Sequence, residues 1–231
     1  MPGSKTTLIT RFDMGDEQNE IGVDEAGRGP MLGRVYSAAV VLPKEGEYRH
    51  DLMKDSKRFT SAKKIRGVAD YIKENAVAWG VGYATEEDID KLNIRRATFK
   101  AMHSAISQVL ESLALDDVRL LIDGNDFKPY TVIVPSTGIV QVPHVCITGG
   151  DNKFTPIAAA SILAKVARDD YIADICDADQ TLDERYGIRK NKGYGTKIHM
   201  DGIATHGITM HHRRTFGPCR IHAEHTESYT H

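Results

Sequence analysis

Short apolar runs alternate along this chain with longer stretches in which apolar residues return every three or four positions. The first kind of pattern reads as strand, the second as helix. "EIGVDEAG" (20–27) and "RVYSAAVVLP" (34–43) are strands, the second almost wholly apolar and stopped by Pro43. "TSAKKIRGVADYIKENA" (60–76) opens on Thr and Ser and repeats Ile65, Val68, Ala69 and Ile72 at helical spacing. "VAWGVGYA" (77–84) is a third strand. "TEEDIDKL" (85–92) starts like a capping box, with Thr85 as N-cap and Asp88 where Glu or Gln is commoner. A long amphipathic helix follows over 94–113, then strands "VRLLIDG" (118–124) and "YTVIVP" (130–135). "TPIAAASILAKVARDDYIADIC" (155–176) is an Ala-rich helix with Pro156 in its first turn. A short helix beginning near Ile198 ends at Gly207.

Three strands, helices, two more strands and a helix predict an α/β fold, with a mixed central β-sheet flanked by helices. Residues 1–19 form a polar extension expected to be loosely ordered. Residues 20–178 make the core, and 179–231, richer in Gly, His and basic residues, a C-terminal helical part of the same domain. The tail "IHAEHTESYTH" is expected to fray.

Composition narrows the function. With 231 residues, 41% of them hydrophobic, the chain can bury one sizeable core. Its formal net charge of −2 supplies no global basic field, so any contact with nucleic acid must rest on local patches. Cys146, Cys176 and Cys219 show no CxxC spacing, which argues for reduced thiols in a cytoplasmic protein. No signal-like or membrane-length apolar run is present. A G-x-G-x-x-G or Walker loop is also lacking, so a phosphotransferase using "GRGP" as a phosphate loop has little support.

Four acids stand in apolar or turn-bounded places. Asp24 and Glu25 follow Ile21–Val23, Asp123 follows Leu120–Ile122, and Asp151 precedes the Ala-rich helix. A carboxylate beside an apolar strand loses hydration and needs a partner, and hard divalent cations are suited to oxygen donors. Singly, Asp123 reads as a turn residue and Asp151 as a helix cap; together with Asp24 and Glu25 they read as a metal cluster. Side chains alternate along a strand, so Asp24 should face the metals while Glu25 reaches round from the strand end or uses its carbonyl.

"VDEAGRGP", "DSKRFTSAKK", "LIDG", "AAASILAKVARD", "KGYGTKIH" and "HRRTFGP" occur in the order found in ribonuclease HII, and the chain resembles that family over residues 23–218. The resemblance implies a ribonuclease H-like fold with a C-terminal helical extension. It implies endonucleolytic cleavage of RNA in RNA–DNA hybrids and 5′ of single ribonucleotides in duplex DNA. Two Mg2+ or Mn2+ ions would serve the reaction, leaving 3′-hydroxyl and 5′-phosphate ends. By motif, Asp24, Glu25, Asp123 and Asp151 match the metal-binding catalytic carboxylates, with Asp169 read as structural. Gly27, Arg28 and Gly29 match the turn whose backbone reads the 2′-hydroxyl. Tyr194 matches the tyrosine that stacks on the next sugar, although Gly195 stands where the family usually has Pro. The partners would be RNA–DNA hybrid and ribonucleotide-containing DNA duplex, bound by a monomer.

Lys57, Ser161, Lys165 and Arg213 are candidate phosphate contacts; Ser161 and Lys165, four apart, share a helix face. The run Arg189–Lys197, basic with one Tyr, suits a nucleic-acid backbone, its plainer reading being an exposed basic loop. His199 and His212 sit in a His-rich stretch whose spacing fits no zinc site, and read as structural or phosphate-side groups. The competing hypothesis is a catalytically inactive module that binds hybrids or junctions, its acids serving as caps.

Overall fold

Val35–Val41 is buried at all seven positions, as expected of a strand with neighbours on both sides and helices on both faces. In the computed structural model, which describes residues 7–15 and 18–227 (the side chains of 223–227 excepted), this strand is β2. Before it runs β1 (Asn19–Ala26); after it come α1 (Ala62–Asn75), β3 (Ala78–Ala84), α2 (Glu86–Leu92) and α3 (Ile94–Leu110). Next come β4 (Val118–Asp123), β5 (Thr131–Val134), β6 (Gly138–Gln141), β7 (His144–Ile147) and α4 (Thr155–Ala178). The chain continues through α5 (Thr181–Tyr186), α6 (Ile188–Asn191), α7 (Lys197–His206) and α8 (Gly217–Glu227).

The main sheet has the order β3-β2-β1-β4-β7. β1–β2 and β2–β3 are antiparallel, whereas β1–β4 and β4–β7 are parallel, so the sheet is mixed as the sequence suggests. The strand expected at 130–135 does form, but as β5 it pairs only with β6 in a separate hairpin. The strand that completes the main sheet is β7, which sequence periodicity missed. Only four residues long, it alternates too briefly to stand out.

Alternation decides which helix each strand residue meets. Ile21, Val23, Ala39 and Val41 pack with Phe99, Met102 and Ile106 of α3. Ala38 and Val40 pack with α1 and the alanines of α4. Small residues let α4 sit close: a Cβ on Gly22 would lie 2.2 Å from the Pro156 carbonyl carbon. The capping box at Thr85 forms as expected, each partner donating one 3.1 Å bond.

The N-terminal segment is held in the part that is described. Ile9 bridges Phe154 in parallel, Thr155 N donates to Ile9 O at 2.9 Å, and Glu20 accepts the Phe12 and Asp13 amides. Residues 1–6, 16–17 and 228–231 lie outside the described residues; α8 carries the backbone of the expected frayed tail as far as Glu227.

Candidate active site at the carboxyl edge of the sheet

Parallel pairing of β1 with β4 sets Val23 beside Ile122, so Asp24 and Asp123 are neighbours where that ladder ends. Leu121, two before Asp123, packs on Ile157 of α4, and Gly22, two before Asp24, abuts the same helix, so both acids lie on the α4 face. Asp151 joins them from the 3₁₀ turn Gly150–Asn152 between β7 and α4. Asp123 is fixed by accepting the Gly150 amide at 2.6 Å. Asp24 accepts the Glu25 amide at 2.7 Å, and the hydroxyl of Ser161, itself 3.0 Å from Ser56 Oγ, supports it from α4.

Glu25 lies on the opposite, α3 face and reaches the cluster from the end of β1. It lines both the main cavity and a small adjoining one toward α3, and pairs with Arg28 at 3.3 Å. A cavity of about 450 Å3 is lined by Asp24, Glu25, Asp123 and Asp151, by the Gly27–Gly29 turn, and by Lys57, Ser161, Lys165 and Tyr194. The structure therefore brings together eleven of the twelve residues that sequence reasoning selected.

The exception is Arg213. Its guanidinium is fully buried and does not line the acid cavity: Nε donates to Gly33 O at 2.8 Å, Nη1 to Arg28 O at 2.9 Å and Nη2 to Gly27 O at 2.6 Å. Its place is behind the glycine turn, which it holds, and the expectation of a phosphate contact is corrected to that role. Arg168, which sequence reasoning passed over inside "ARD", packs on the same turn. It donates to Lys192 O at 2.8 Å, and a Cβ on Gly27 would stand 2.1 Å from its Nε. At φ +92°, Gly27 has a backbone that only glycine adopts without strain. Tyr194 lies against the other end of the turn, its Cε1 3.5 Å from where a Cβ on Gly29 would be. Within the basic run, Lys190 and Lys192 line the cavity, while Arg189 is engaged by Asp177 at 2.5 Å and Lys197 by Asp201 at 2.6 Å. Asp169, read from sequence as structural, pairs with Lys165 at 2.9 Å rather than within the "ARD" segment, and it too lines the cavity.

Electrostatics mark the acids as uncomfortable alone. Burial, then Glu25 and Asp123, push the Asp24 carboxyl well above its usual range. Burial likewise raises Glu25 against the opposing pull of Arg28, and raises Asp151 with help from Asp123 and Asp55. Lys57 answers them: burial would lower its pKa, but Asp55, Asp151, Asp24 and Asp123 together raise it. Among the described residues no three His, Cys, Asp or Glu side chains form a ready-made metal cage. The donor set itself, carboxylates with no nitrogen or sulfur, fits hard divalent ions. No helix among the described residues is long and apolar enough to cross a membrane.

A mixed five-stranded sheet flanked by helices, with acids clustered where two parallel strands stop pairing, is a ribonuclease H-like fold. The solved structure of ribonuclease H2 from Pyrococcus horikoshii superposes at a TM-score of 0.66, covering 90% of this chain and 99% of that one at 22% identity. The family profile "Ribonuclease HII" matches residues 21–219. Curated proteins named ribonuclease HII include one from Parabacteroides distasonis, 44% identical over 85% of this chain and 89% of its own. Another, from Porphyromonas gingivalis, is 42% identical over 90% and 94%. The chain belongs to the ribonuclease HII family.

Proposed function

We propose that this chain hydrolyses the RNA strand of RNA–DNA hybrids and cuts 5′ of single ribonucleotides embedded in duplex DNA. The supporting observation is that four clustered carboxylates, a glycine turn and Tyr194 share one cavity. Asp24, Glu25, Asp123 and Asp151 would hold two divalent ions, Mg2+ or Mn2+. Bound there, the ions would supply an activated water and neutralise the leaving oxygen. Arg28, Lys57, Lys190 and Lys192 offer positive charge to the phosphates around the scissile bond. The carbonyls of Gly27 and Arg28 each accept one bond from Arg213 and keep a second lone pair, able to accept from a ribose 2′-hydroxyl. Tyr194 beside Gly29 would crowd any hydroxyl on the following sugar, specifying an RNA-to-DNA junction.

Incubating the protein with a duplex holding one ribonucleotide, and separately with a long hybrid, in Mg2+ and in Mn2+, tests this. Cleavage 5′ of the ribonucleotide with 3′-hydroxyl and 5′-phosphate ends is expected. Tight binding without cleavage in either metal would favour a binding module instead.

A further inference from the structure

On a chain of formal net charge −2, one cleft is lined by four cations and no carboxylate. Arg95 and Arg96 stand side by side on the first turn of α3 and Lys100 on the next, and Lys128 faces them from the segment after β4. Phe99 and Phe127, their rings 6.1 Å apart, form part of its lining between the charges. The cleft encloses about 880 Å3, against about 450 Å3 for the acid-lined cavity. Asp126 engages Arg95 at 2.5 and 2.8 Å, and Asp88 engages Lys100 at 2.6 Å. Arg96 and Lys128 have no carboxylate in salt-bridge reach among the described residues.

A solvated helix face is the plain reading of surface lysines and arginines. Two observations weigh against it here. Arg96 and Lys128 face one concavity with no carboxylate to answer them, beside the already paired Arg95 and Lys100, and a polyanion would supply the missing negative charge. The cleft also lies next to the active site, one small cavity away. A small cavity of about 90 Å3 shares Arg95 and Phe99 with the cleft, and shares Glu25, Arg28 and Asp123 with the acid-lined cavity. Lys128 and Arg96 are thus linked to Arg28 and the acid cluster through Arg95, which Asp126 holds in place along the small cavity.

We propose that this cleft binds the sugar–phosphate backbone of one duplex arm as it leaves the active site, extending the substrate surface across the α3 side of the sheet. The inference rests on the function proposed above. The lining holds no Asn, Gln, Asp or Glu, the residues that read adenine and cytosine edges, and its charged groups are donors suited to phosphate oxygens. Contact there is read as contact to the backbone, so binding should not depend on the base sequence of that arm.

The test is the double variant Arg96→Ala/Lys128→Ala, both positions being exposed, with unchanged thermal melting as the folding control. Equilibrium binding in EDTA is measured against salt on three duplexes, each with one ribonucleotide: long on both sides, cut short on the left, or cut short on the right. On the long duplex the variant should bind roughly tenfold more weakly at physiological salt, and its slope of log Kd against log salt should fall by about two. On one of the shortened duplexes, wild type and variant should bind alike. Equal affinities and slopes on all three would overturn the inference, as would an acidic polypeptide such as polyglutamate outcompeting the duplex for the cleft. Wild-type cleavage in Mg2+ is scored separately, so failure of the proposed function is distinguishable from failure of this surface.

Discussion

His199 and His212 meet through their Nε2 atoms at 3.1 Å, both buried, and the outer bonds of the pair fix where the protons lie. The Thr209 amide donates to His212 Nδ1 at 2.9 Å, so His212 must carry its proton on Nε2 and donate to His199. That leaves the His199 proton on Nδ1, donating to the Tyr194 carbonyl at 3.0 Å. A single chain of neutral imidazoles thus ties the turn after α7 to the loop that carries Tyr194.

Burial first, then His199 and His211, hold His212 down at about 3, far below the ordinary histidine value. The folded state therefore binds fewer protons than the unfolded chain between about pH 3 and 6.5, so stability is fully present above about pH 6.5 and falls as pH drops through that window. Melting temperature measured from pH 7.5 to 4.5 should fall in wild type. In His212→Gln it should start lower and fall less steeply; parallel curves would refute the assignment.

Asp24 is costly to the metal-free protein and, under the proposed function, a ligand of its metals. Asp24→Asn removes a buried charge that Glu25 and Asp123 repel, while its amide oxygen can still accept the Glu25 N–H. Cleavage should drop by at least a thousandfold while metal-free stability rises by about 1 kcal/mol, or about 2–4 °C for a chain of this size. Calorimetry in EDTA beside a cleavage assay reads both, and a destabilised variant would contradict the electrostatic account.

Adding Mg2+ or Mn2+ should raise the melting temperature of wild type and leave Asp24→Asn nearly unmoved, because a ligand of the folded state stabilises only where it binds. Differential scanning fluorimetry with and without millimolar metal checks this.

Arg213→Lys keeps the charge but cannot place one ammonium on the carbonyls of Gly27, Arg28 and Gly33 together. A loss of about 2–4 kcal/mol in urea unfolding is expected. Near-wild-type stability together with weakened duplex binding would instead return Arg213 to the phosphates.

Gly27→Ala imposes φ +92° on a side chain and drives its Cβ into Arg168. It should cost about 1–3 kcal/mol and depress cleavage of a single embedded ribonucleotide more than stability alone explains. Comparing kcat on single-ribonucleotide and hybrid substrates separates the two effects.

The sequence by itself determined most of the elements, because Val35–Val41 and the Ile65–Ile72 repeat state their periods plainly. It also fixed the candidate acids, since carboxylates at the ends of apolar strands need compensation whatever the fold. Tertiary structure alone decided what depends on distant neighbours. β7 is too short to show a period, yet it completes the sheet on β4. Arg213 looks like any basic residue until burial aims it at three carbonyls 180 to 186 positions away. Arg168 has no local signature of its packing on Gly27. How Glu25 joins Asp24 from the opposite strand face was open on alternation alone; the edge toward β4 answers it, because the β1–β4 ladder stops at Val23–Ile122 and leaves Glu25, still paired with β2, at the border of the cavity. Periodicity is a local property and is written in the chain; which carbonyl a buried guanidinium meets is a property of the packed whole.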